Sequence, residues 1–236
     1  DKTISMPPYG IPWDLTVNDF SRVLPDLSSM GKLDVFTSDF GATQVTLLTH
    51  KLDFNLNQVT TIQTPCPGGY SFSSVVSEKF DANDNWDVAG VEPNGQLRVL
   101  YGNGGMAFST NCNQHNYGGD VYTLNPTGQP PLQLSKAGIA VGNLNAGPKK
   151  DLAALGGAAY SVTILLGIYG PTNAGKFQLD RTDSRYFVNV DPGGQVSYPI
   201  QMALGDLNGD GFDDIVTANH HSHNISVVIN ALSVGP

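Results

Sequence analysis

A chain of 236 residues with a net charge of −9, in which 14% of the residues are charged, lacks the basic surface that binding to nucleic acids or anionic membranes requires. Its 27 glycines and 15 prolines are typical of short strands joined by tight turns, and no apolar run reaches the roughly 18–20 residues of a membrane span. This composition predicts an all-β protein, long enough for one domain or two smaller ones.

An aspartate followed by apolar or small residues recurs four times along the chain, at Asp34, Asp87, Asp151 and Asp214. The intervals of 53, 64 and 63 residues are similar, which is typical of repeat architectures. Each aspartate lies at the start of a short predicted strand, with one strand predicted before it and one after it. The predicted strands are Trp13–Val17, Leu33–Thr37 and Gln44–Leu48; Ser74–Val76, Asp87–Val91 and Gln96–Tyr101; Gly138–Val141, Asp151–Leu155 and Ser161–Leu166; and Pro199–Leu204, Asp214–Ala218 and Ile225–Ile229.

A fourth, outer strand is predicted in the first three units, at Val59–Gln63, Val121–Leu124 and Tyr186–Val190. The last unit has none, whereas Lys2–Met6 is a strand-like segment before the first unit. We therefore predict a four-bladed, propeller-like ring of four-stranded antiparallel sheets whose last blade is completed by the N-terminal strand, because closure removes an exposed sheet edge. A frayed terminus, or pairing of Lys2–Met6 with another molecule, is the alternative. The single domain would contain units of about 10–66, 67–130, 131–193 and 194–236 plus 1–9.

The connection Ala203–Ile215, read as A-L-G-D-L-N-G-D-G-F-D-D-I, concentrates oxygen-bearing side chains between two predicted strands. Such side chains stand at loop positions 1, 3, 5 and 9, a spacing that suits Ca²⁺, which takes six to eight oxygen ligands. The start matches an EF-hand loop, but Thr217 stands where an EF-hand needs glutamate, and the flanks predict strands instead of helices. The predicted ligands are Asp206, Asn208, Asp210, the carbonyl of Phe212 and Asp214.

The run G-D-L-N-G-D-G-F-D-D-I-V-T-A-N, followed by I-S-V-V-I-N, resembles the FG-GAP/VCBS repeat over residues 198–230. This repeat forms the blades of integrin-type β-propellers and of many secreted bacterial and fungal proteins. The resemblance implies a propeller blade with a calcium ion in a structural role. It also implies that turns on the side opposite the calcium loops often form the ligand surface.

The other three loops keep less of the calcium chemistry when they are aligned on their closing aspartate. In the second unit, Asp81, Asn83 and Asp87 remain, but Lys79 occupies position 1, which favours an ion pair over a bound metal. The third loop has Asp151 as its single carboxylate, and an insertion breaks the spacing of the first. Because affinity follows the charge of the ligands, we expect a degenerate loop in the second unit and a calcium ion only in the fourth.

The chain contains two cysteines, Cys66 and Cys112, both in loop-like contexts. Without a Cys-x-x-Cys motif, they predict one disulfide in an oxidising compartment, with two free thiols as the alternative. Extracellular modules use calcium at high concentration. We therefore expect a secreted or cell-surface extracellular protein.

Polar and aromatic residues in predicted turns are candidates for a ligand face. The H-H-S-H turn of the fourth unit and the polar insertion Asn111–Asp120 carry them, although an exposed polar turn is the simpler interpretation of the histidines. Asn224-Ile225-Ser226 is an N-glycosylation sequon at the start of a predicted strand. The candidate ligand-face residues are Tyr117, His220, His221 and His223.

Neither a G-x-S-x-G motif nor a local Cys/His signature indicates nucleophilic catalysis, so we expect no enzymatic activity. The sequence favours a non-enzymatic, calcium-stabilised extracellular interaction module for adhesion, or a building block of an extracellular assembly. Its partner would be a protein or a glycan, with no nucleic acid and no membrane insertion. The alternatives are a carbohydrate-binding lectin and a filament subunit joined by strand exchange.

Overall fold

The structure is a computed structural model. It describes residues 11–20, 33–40, 44–49, 58–63, 72–81, 83–102, 108, 121–124, 138–155, 161–167, 177–179, 185–187, 199–220 and 222–231. No helix among these residues is both long enough and apolar enough to cross a membrane. Lys2–Met6, Cys66, Cys112, Tyr117 and His221 lie outside the described residues, so the predictions that rest on them stay predictions.

The described residues form four β-sheets in chain order. The strands are β1 Ile11–Asn18, β2 Asp34–Phe40, β3 Gln44–Thr49, β4 Gln58–Gln63, β5 Ser74–Glu78, β6 Asp87–Val91, β7 Gln96–Leu100, β8 Val121–Thr123, β9 Ile139–Gly142, β10 Asp151–Leu155, β11 Ser161–Gly167, β12 Phe177–Leu179, β13 Arg185–Phe187, β14 Pro199–Gly205, β15 Asp214–Asn219 and β16 Asn224–Val228. The first sheet has the order β1-β2-β3-β4, the second β5-β6-β7-β8 and the fourth β14-β15-β16. The third sheet has the order β12-β11-β10-β9, and β13 also pairs with β11.

The inner three strands of every sheet confirm the prediction, with ends that differ by no more than three residues. The outer edge of the third sheet differs from the single strand that was predicted there. Here two short strands, β12 and β13, both pair with β11, the first at Leu165–Gly167 and the second at Ser161–Thr163. The predicted strand Tyr186–Val190 overlaps only β13. Two separate segments thus form the outer edge of this sheet, where the repeat pattern predicts one strand.

Contacts divide the chain into two compact units, the first of residues 1–92 and 98–121 and the second of residues 93–97 and 122–236. The core of the first unit contains three aromatic rings, Phe20, Phe36 and Phe108, whose centroids are 5.6–6.1 Å apart. The core of the second unit contains aliphatic side chains of the third sheet, such as Ile164, packed with Ile215 of the fourth. Each core therefore lies between neighbouring sheets.

Within each unit, the first strand of one sheet packs beside the first strand of the next. In the first unit, Asp14 Oδ2 accepts hydrogen bonds from Ser74 Oγ at 2.7 Å and from the Val75 N–H at 3.0 Å. In the second unit, Met202 and Leu204 of β14 pack against the core of the third sheet. This packing brings the loop that follows β9 next to the loop that follows β14.

Candidate metal centre

The aspartate that begins the second strand of each sheet has no solvent-exposed surface. In the second, third and fourth sheets its Oδ1 accepts a hydrogen bond from a backbone N–H at the end of the third strand, and its Oδ2 accepts one or two from backbone N–H groups of the loop. The Oδ1 donors are Gly102, Gly167 and Asn230, each at 2.8 Å. The Oδ2 donors are Phe80 at 2.7 Å and Asp81 at 3.2 Å, Leu144 at 2.8 Å and Asn145 at 3.1 Å, and Leu207 at 2.9 Å.

This arrangement gives the closing aspartate a structural role that does not depend on a metal ion. A buried carboxylate requires hydrogen-bond donors, and the donors here connect each loop to the strand beside it. Asp151 makes these bonds in a loop for which we predict no ion. The recurrence of the aspartate therefore indicates a loop-to-strand connection, a role that ligand spacing alone does not reveal.

Burial changes the protonation of these carboxyl groups. The loss of solvent raises the pKa of Asp87 to about 7, and the nearby Asp81 carboxylate adds to this, although three backbone N–H groups oppose it. Burial also raises the pKa of Asp151. The carboxyl group at position 1 of the fourth loop shifts in the opposite direction. Its pKa is lowered because the Gly211 N–H, with other backbone N–H groups, donates to Asp206.

The fourth loop, residues 206–214, turns through two glycines in the left-handed region, Gly209 at φ 80° and Gly211 at φ 90°. Asp206 Oδ1 accepts the N–H of Gly209 at 2.7 Å and of Asp210 at 3.2 Å, and its Oδ2 accepts the N–H of Gly211 at 2.9 Å. The carboxylate of position 1 therefore faces the turn, where three backbone N–H groups of the loop donate to it.

The remaining predicted ligands lie in the same turn. Asn208 Oδ1 accepts the Asp210 N–H at 2.9 Å, and the Asn208 amide donates to Asp210 Oδ2 at 2.9 Å. Asp210 Oδ1 accepts the N–H of Phe212 at 2.9 Å. Among the described residues, no three His, Cys, Asp or Glu side chains are placed together as metal ligands.

The chemistry of the loop nevertheless fits a hard divalent cation. Three carboxylates, one amide and one carbonyl all offer oxygen ligands. Asp206 Oδ2 and Asp210 Oδ1 each accept one backbone N–H, so each keeps a lone pair for an ion. Asp206, Asn208 and Asp210 would hold the ion together with the Phe212 carbonyl and Asp214. Binding would require these oxygens to turn toward one centre.

The second loop contains a cation of its own at position 1. Lys79 Nζ lies 2.5 Å from Asp84 Oδ1 and 5.6 Å from the centre of the Trp86 ring. Asp81 accepts both the N–H and the side-chain amide of Asn83, at 2.9 and 2.6 Å. An ion pair thus stands where the fourth loop has its first carboxylate.

The candidate ligand face is described at two of its four residues, His220 and His223, and both are exposed. His223 has a φ of 52°, which indicates a tight turn. Beside them, Asn224 Oδ1 accepts hydrogen bonds from the Asn219 amide and the Ser222 hydroxyl, both at 2.8 Å. The turn is therefore held by a polar network, and the sequon asparagine is an exposed residue at the start of β16.

The solved structures similar to this chain include three that each have a TM-score under 0.5. BBS1N in complex with ARL6DN has a TM-score of 0.48 at 10% identity, and the match covers 99% of this chain and 57% of that one. The NanB sialidase of Streptococcus pneumoniae has a TM-score of 0.47 at 7% identity, and the match covers 85% of this chain and 28% of the sialidase. The periplasmic gluconolactonase PpgL of Pseudomonas aeruginosa has a TM-score of 0.42 at 16% identity, and the match covers 86% of this chain and 51% of the gluconolactonase. The chain thus spans less than two thirds of each of these proteins.

None of the curated proteins compared with the chain matches it. The model of the FG-GAP repeat matches residues 198–228, which are β14, the candidate calcium loop, β15 and β16. The resemblance predicted from the loop and from the strands beside it is confirmed over this segment. Residues 198–228 are therefore similar to an FG-GAP repeat.

Proposed function

We propose that this chain is a calcium-stabilised interaction module without catalytic activity, which works outside cells in adhesion or as a building block of an extracellular assembly. The observation that carries the proposal is the fourth loop, in which two left-handed glycines gather Asp206, Asn208 and Asp210 into one turn beside the buried Asp214. This loop lies within the FG-GAP repeat.

Charge supports a structural role for the ion. Asp206, Asp210, Asp213 and Asp214 lie within nine residues, and like charges this close repel one another unless a cation offsets them. A bound calcium ion would supply that charge and connect the ends of the loop. Metal catalysis needs an open ligand position for water or substrate, whereas an ion fully ligated within one strand connection has none.

Calorimetric titration with CaCl₂ tests the proposal. We expect one ion per chain and, at a calcium concentration of 100 times Kd, a gain of about 2.7 kcal/mol in the free energy of unfolding. Asp210→Asn and Asn208→Ala are expected to weaken binding at least tenfold. The matched control is Asn145→Ala, which removes the same amide from position 3 of the third loop and should leave Kd unchanged. An unmodified chain that takes up no calcium would overturn the proposal.

The fold that we propose for this module is the four-bladed ring with Lys2–Met6 as the outer strand of the last blade. Supporting this, Ile225 and Val227 of β16 are 68% and 49% exposed, whereas Val162 and Ile164, at the same register positions of β11, are 0% and 6% exposed. An exposed apolar strand face of this kind favours packing against a neighbouring sheet. A closed, compact chain should have a radius of gyration of about 18 Å, which small-angle scattering measures. Concentration-dependent association in light scattering would instead support a filament subunit.

We propose that the partner binds at the turn face that contains Tyr117, His220, His221 and His223. Exposure of His220 and His223 supports this placement. Binding of the chain to arrays of immobilised proteins and glycans would show the class of partner. The double variant His220→Ala/His223→Ala should lose this binding. Unchanged capture by this variant would remove the turn from the site, and selective capture by glycans would make the chain a lectin.

A further inference from the structure

Asp213 occupies position 8 of the fourth loop, between two predicted ligands, and its side chain points away from the loop to the third sheet. Its Oδ2 accepts the N–H of Asn143 at 2.7 Å, and its own N–H donates to the carbonyl of Asn143 at 2.8 Å. Two hydrogen bonds in opposite directions thus join one residue of the fourth loop to one residue of the third loop. Asp213 is therefore placed as a positioning residue, and we do not count it among the ligands.

Asn230 makes a second connection between the same two loops. Its side-chain amide donates to the carbonyl of Leu144 at 2.8 Å and to the carbonyl of Asp213 at 3.3 Å. Its backbone N–H donates to Asp214 Oδ1 at 2.8 Å. We call the contacts of Asp213 and Asn230 with Asn143 and Leu144 the inter-loop clamp.

The clamp depends on a close approach that only glycine permits. Gly142 is buried at the end of β9, and a Cβ atom at this residue would overlap Asp213 Oδ2 and lie 2.9 Å from Leu204 Cδ1. A larger side chain would have to displace the Asp213 carboxylate. The corresponding position 8 residues of the other loops are Leu33, Trp86 and Lys150, so a carboxylate at this position is a property of the fourth loop.

We propose that the inter-loop clamp couples ion binding in the fourth loop to the docking of that loop on the third sheet. This inference rests on the calcium site proposed above. The carbonyl of Phe212 and the carboxylate of Asp214 adjoin Asp213 on both sides, so holding Asp213 against Asn143 also restricts where those two oxygens can lie. Because coupling between two equilibria is reciprocal, the clamp raises calcium affinity and calcium strengthens the clamp.

Gly142→Ala tests the coupling without changing the net charge or any predicted ligand. The matched control is Gly205→Ala, since Gly142 pairs with Asp151 and Gly205 pairs with Asp214 at the same register position, and a Cβ atom at Gly205 would meet nothing within 4 Å. We expect Gly142→Ala to raise the calcium Kd about tenfold, within the usual range of coupling between sites. Gly205→Ala should change it less than about twofold.

Hydrogen exchange of the Asn143 amide provides a readout that does not depend on affinity. In the unmodified chain, calcium should slow exchange of this amide, because it donates to Asp213. In Gly142→Ala the slowing should disappear. If Gly142→Ala does not fold by circular dichroism, Asn230→Ala replaces it, because it removes the second arm of the clamp without changing charge.

The outcomes separate this inference from the proposed function. A chain that binds calcium with the same Kd in the unmodified, Gly142→Ala and Asn230→Ala forms, with no calcium effect on the Asn143 amide, would overturn the coupling and leave the calcium site intact. Absence of calcium binding by the unmodified chain would overturn both. Weaker binding in both variants, with loss of the calcium effect on Asn143, would support the coupling.

Discussion

Leu144 and Leu207 occupy the same position of successive loops, yet Leu144 is 3% exposed and Leu207 is 57% exposed. The backbone N–H of each donates to the closing aspartate of its own loop, at 2.8 and 2.9 Å, so their local geometry is equivalent. The difference lies in what surrounds them. Leu144 packs in a core cluster with Ile215 of the fourth sheet, whereas the Leu207 side chain is open to solvent.

We expect Leu144→Ala to lower the free energy of unfolding by about 2–5 kcal/mol, because it removes a fully packed side chain and leaves a cavity. Leu207→Ala makes the same chemical change at an exposed position and should cost less than about 0.5 kcal/mol. Urea denaturation of the two variants measures the difference. Equal losses would show that Leu207 is covered in solution.

The protonation of Asp87 should make stability fall as pH rises. Its pKa is about 7 in the folded chain, well above the ordinary value of 3.8. At a pH between these two values, the folded state therefore holds a proton that the unfolded state has lost. The contribution is fully present below about pH 4 and disappears as the pH passes about 7, a change of at most about 4 kcal/mol.

Asp87→Asn cannot ionise and should show a flatter dependence of unfolding free energy on pH between about 4 and 7. Some slope should remain, since burial raises the pKa of Asp151 in the same direction. Urea denaturation at several pH values measures both slopes. Identical slopes in Asp87→Asn and the unmodified chain would show that Asp87 does not titrate in this window.

The second loop should become a calcium site when its cation is removed. The double variant Lys79→Asp/Asp84→Gly places a carboxylate at position 1 and a glycine at position 6, where the fourth loop has Gly211 in the left-handed region. Affinity in such loops rises with ligand charge, so calorimetry should show two ions per chain instead of one. Asp84→Gly alone retains Lys79 and is the control. If the double variant still binds one ion, the ligand spacing of this loop is insufficient.

The ion pair between Glu92 and Arg98 should contribute more to stability than the pair between Lys79 and Asp84. Glu92 Oε1 accepts from Arg98 Nε at 2.6 Å, and their side chains are 8% and 12% exposed. Glu92→Gln should cost about 3 kcal/mol, because it leaves a buried guanidinium without its countercharge. Asp84→Asn breaks a pair with exposures of 34% and 70% and should cost less than about 1 kcal/mol. Similar losses in urea denaturation would show that water reaches the Glu92 carboxylate.

The strands and the FG-GAP repeat could be predicted because they depend on local signals. Alternation of apolar residues, glycine turns and the recurring aspartate all lie within a few residues of the element that they indicate. Of the two outer strands on β11, the sequence indicated β13 in part and did not indicate β12. Their position depends on which end of β11 each one meets.

The role of the closing aspartate illustrates the limit of pattern reading. A carboxylate at loop position 9 fits a metal ligand, and in the structure Asp87 and Asp151 at this position accept hydrogen bonds both from their loops and from the end of the third strand. The two roles demand the same residue at the same position. The hydrogen-bond donors come from residues up to 16 positions away, so the loop-to-strand connection cannot be inferred from the loop alone.

The sequence by itself determined where the chain turns and which residues could ligate an ion, because turn geometry and ligand spacing are properties of a dozen consecutive residues. Tertiary structure alone decided that Asp213 reaches across 70 positions to Asn143 and that Leu144 is covered while Leu207 is open. Burial and inter-sheet hydrogen bonds depend on which sheet lies beside which, and no short segment of the chain contains that information.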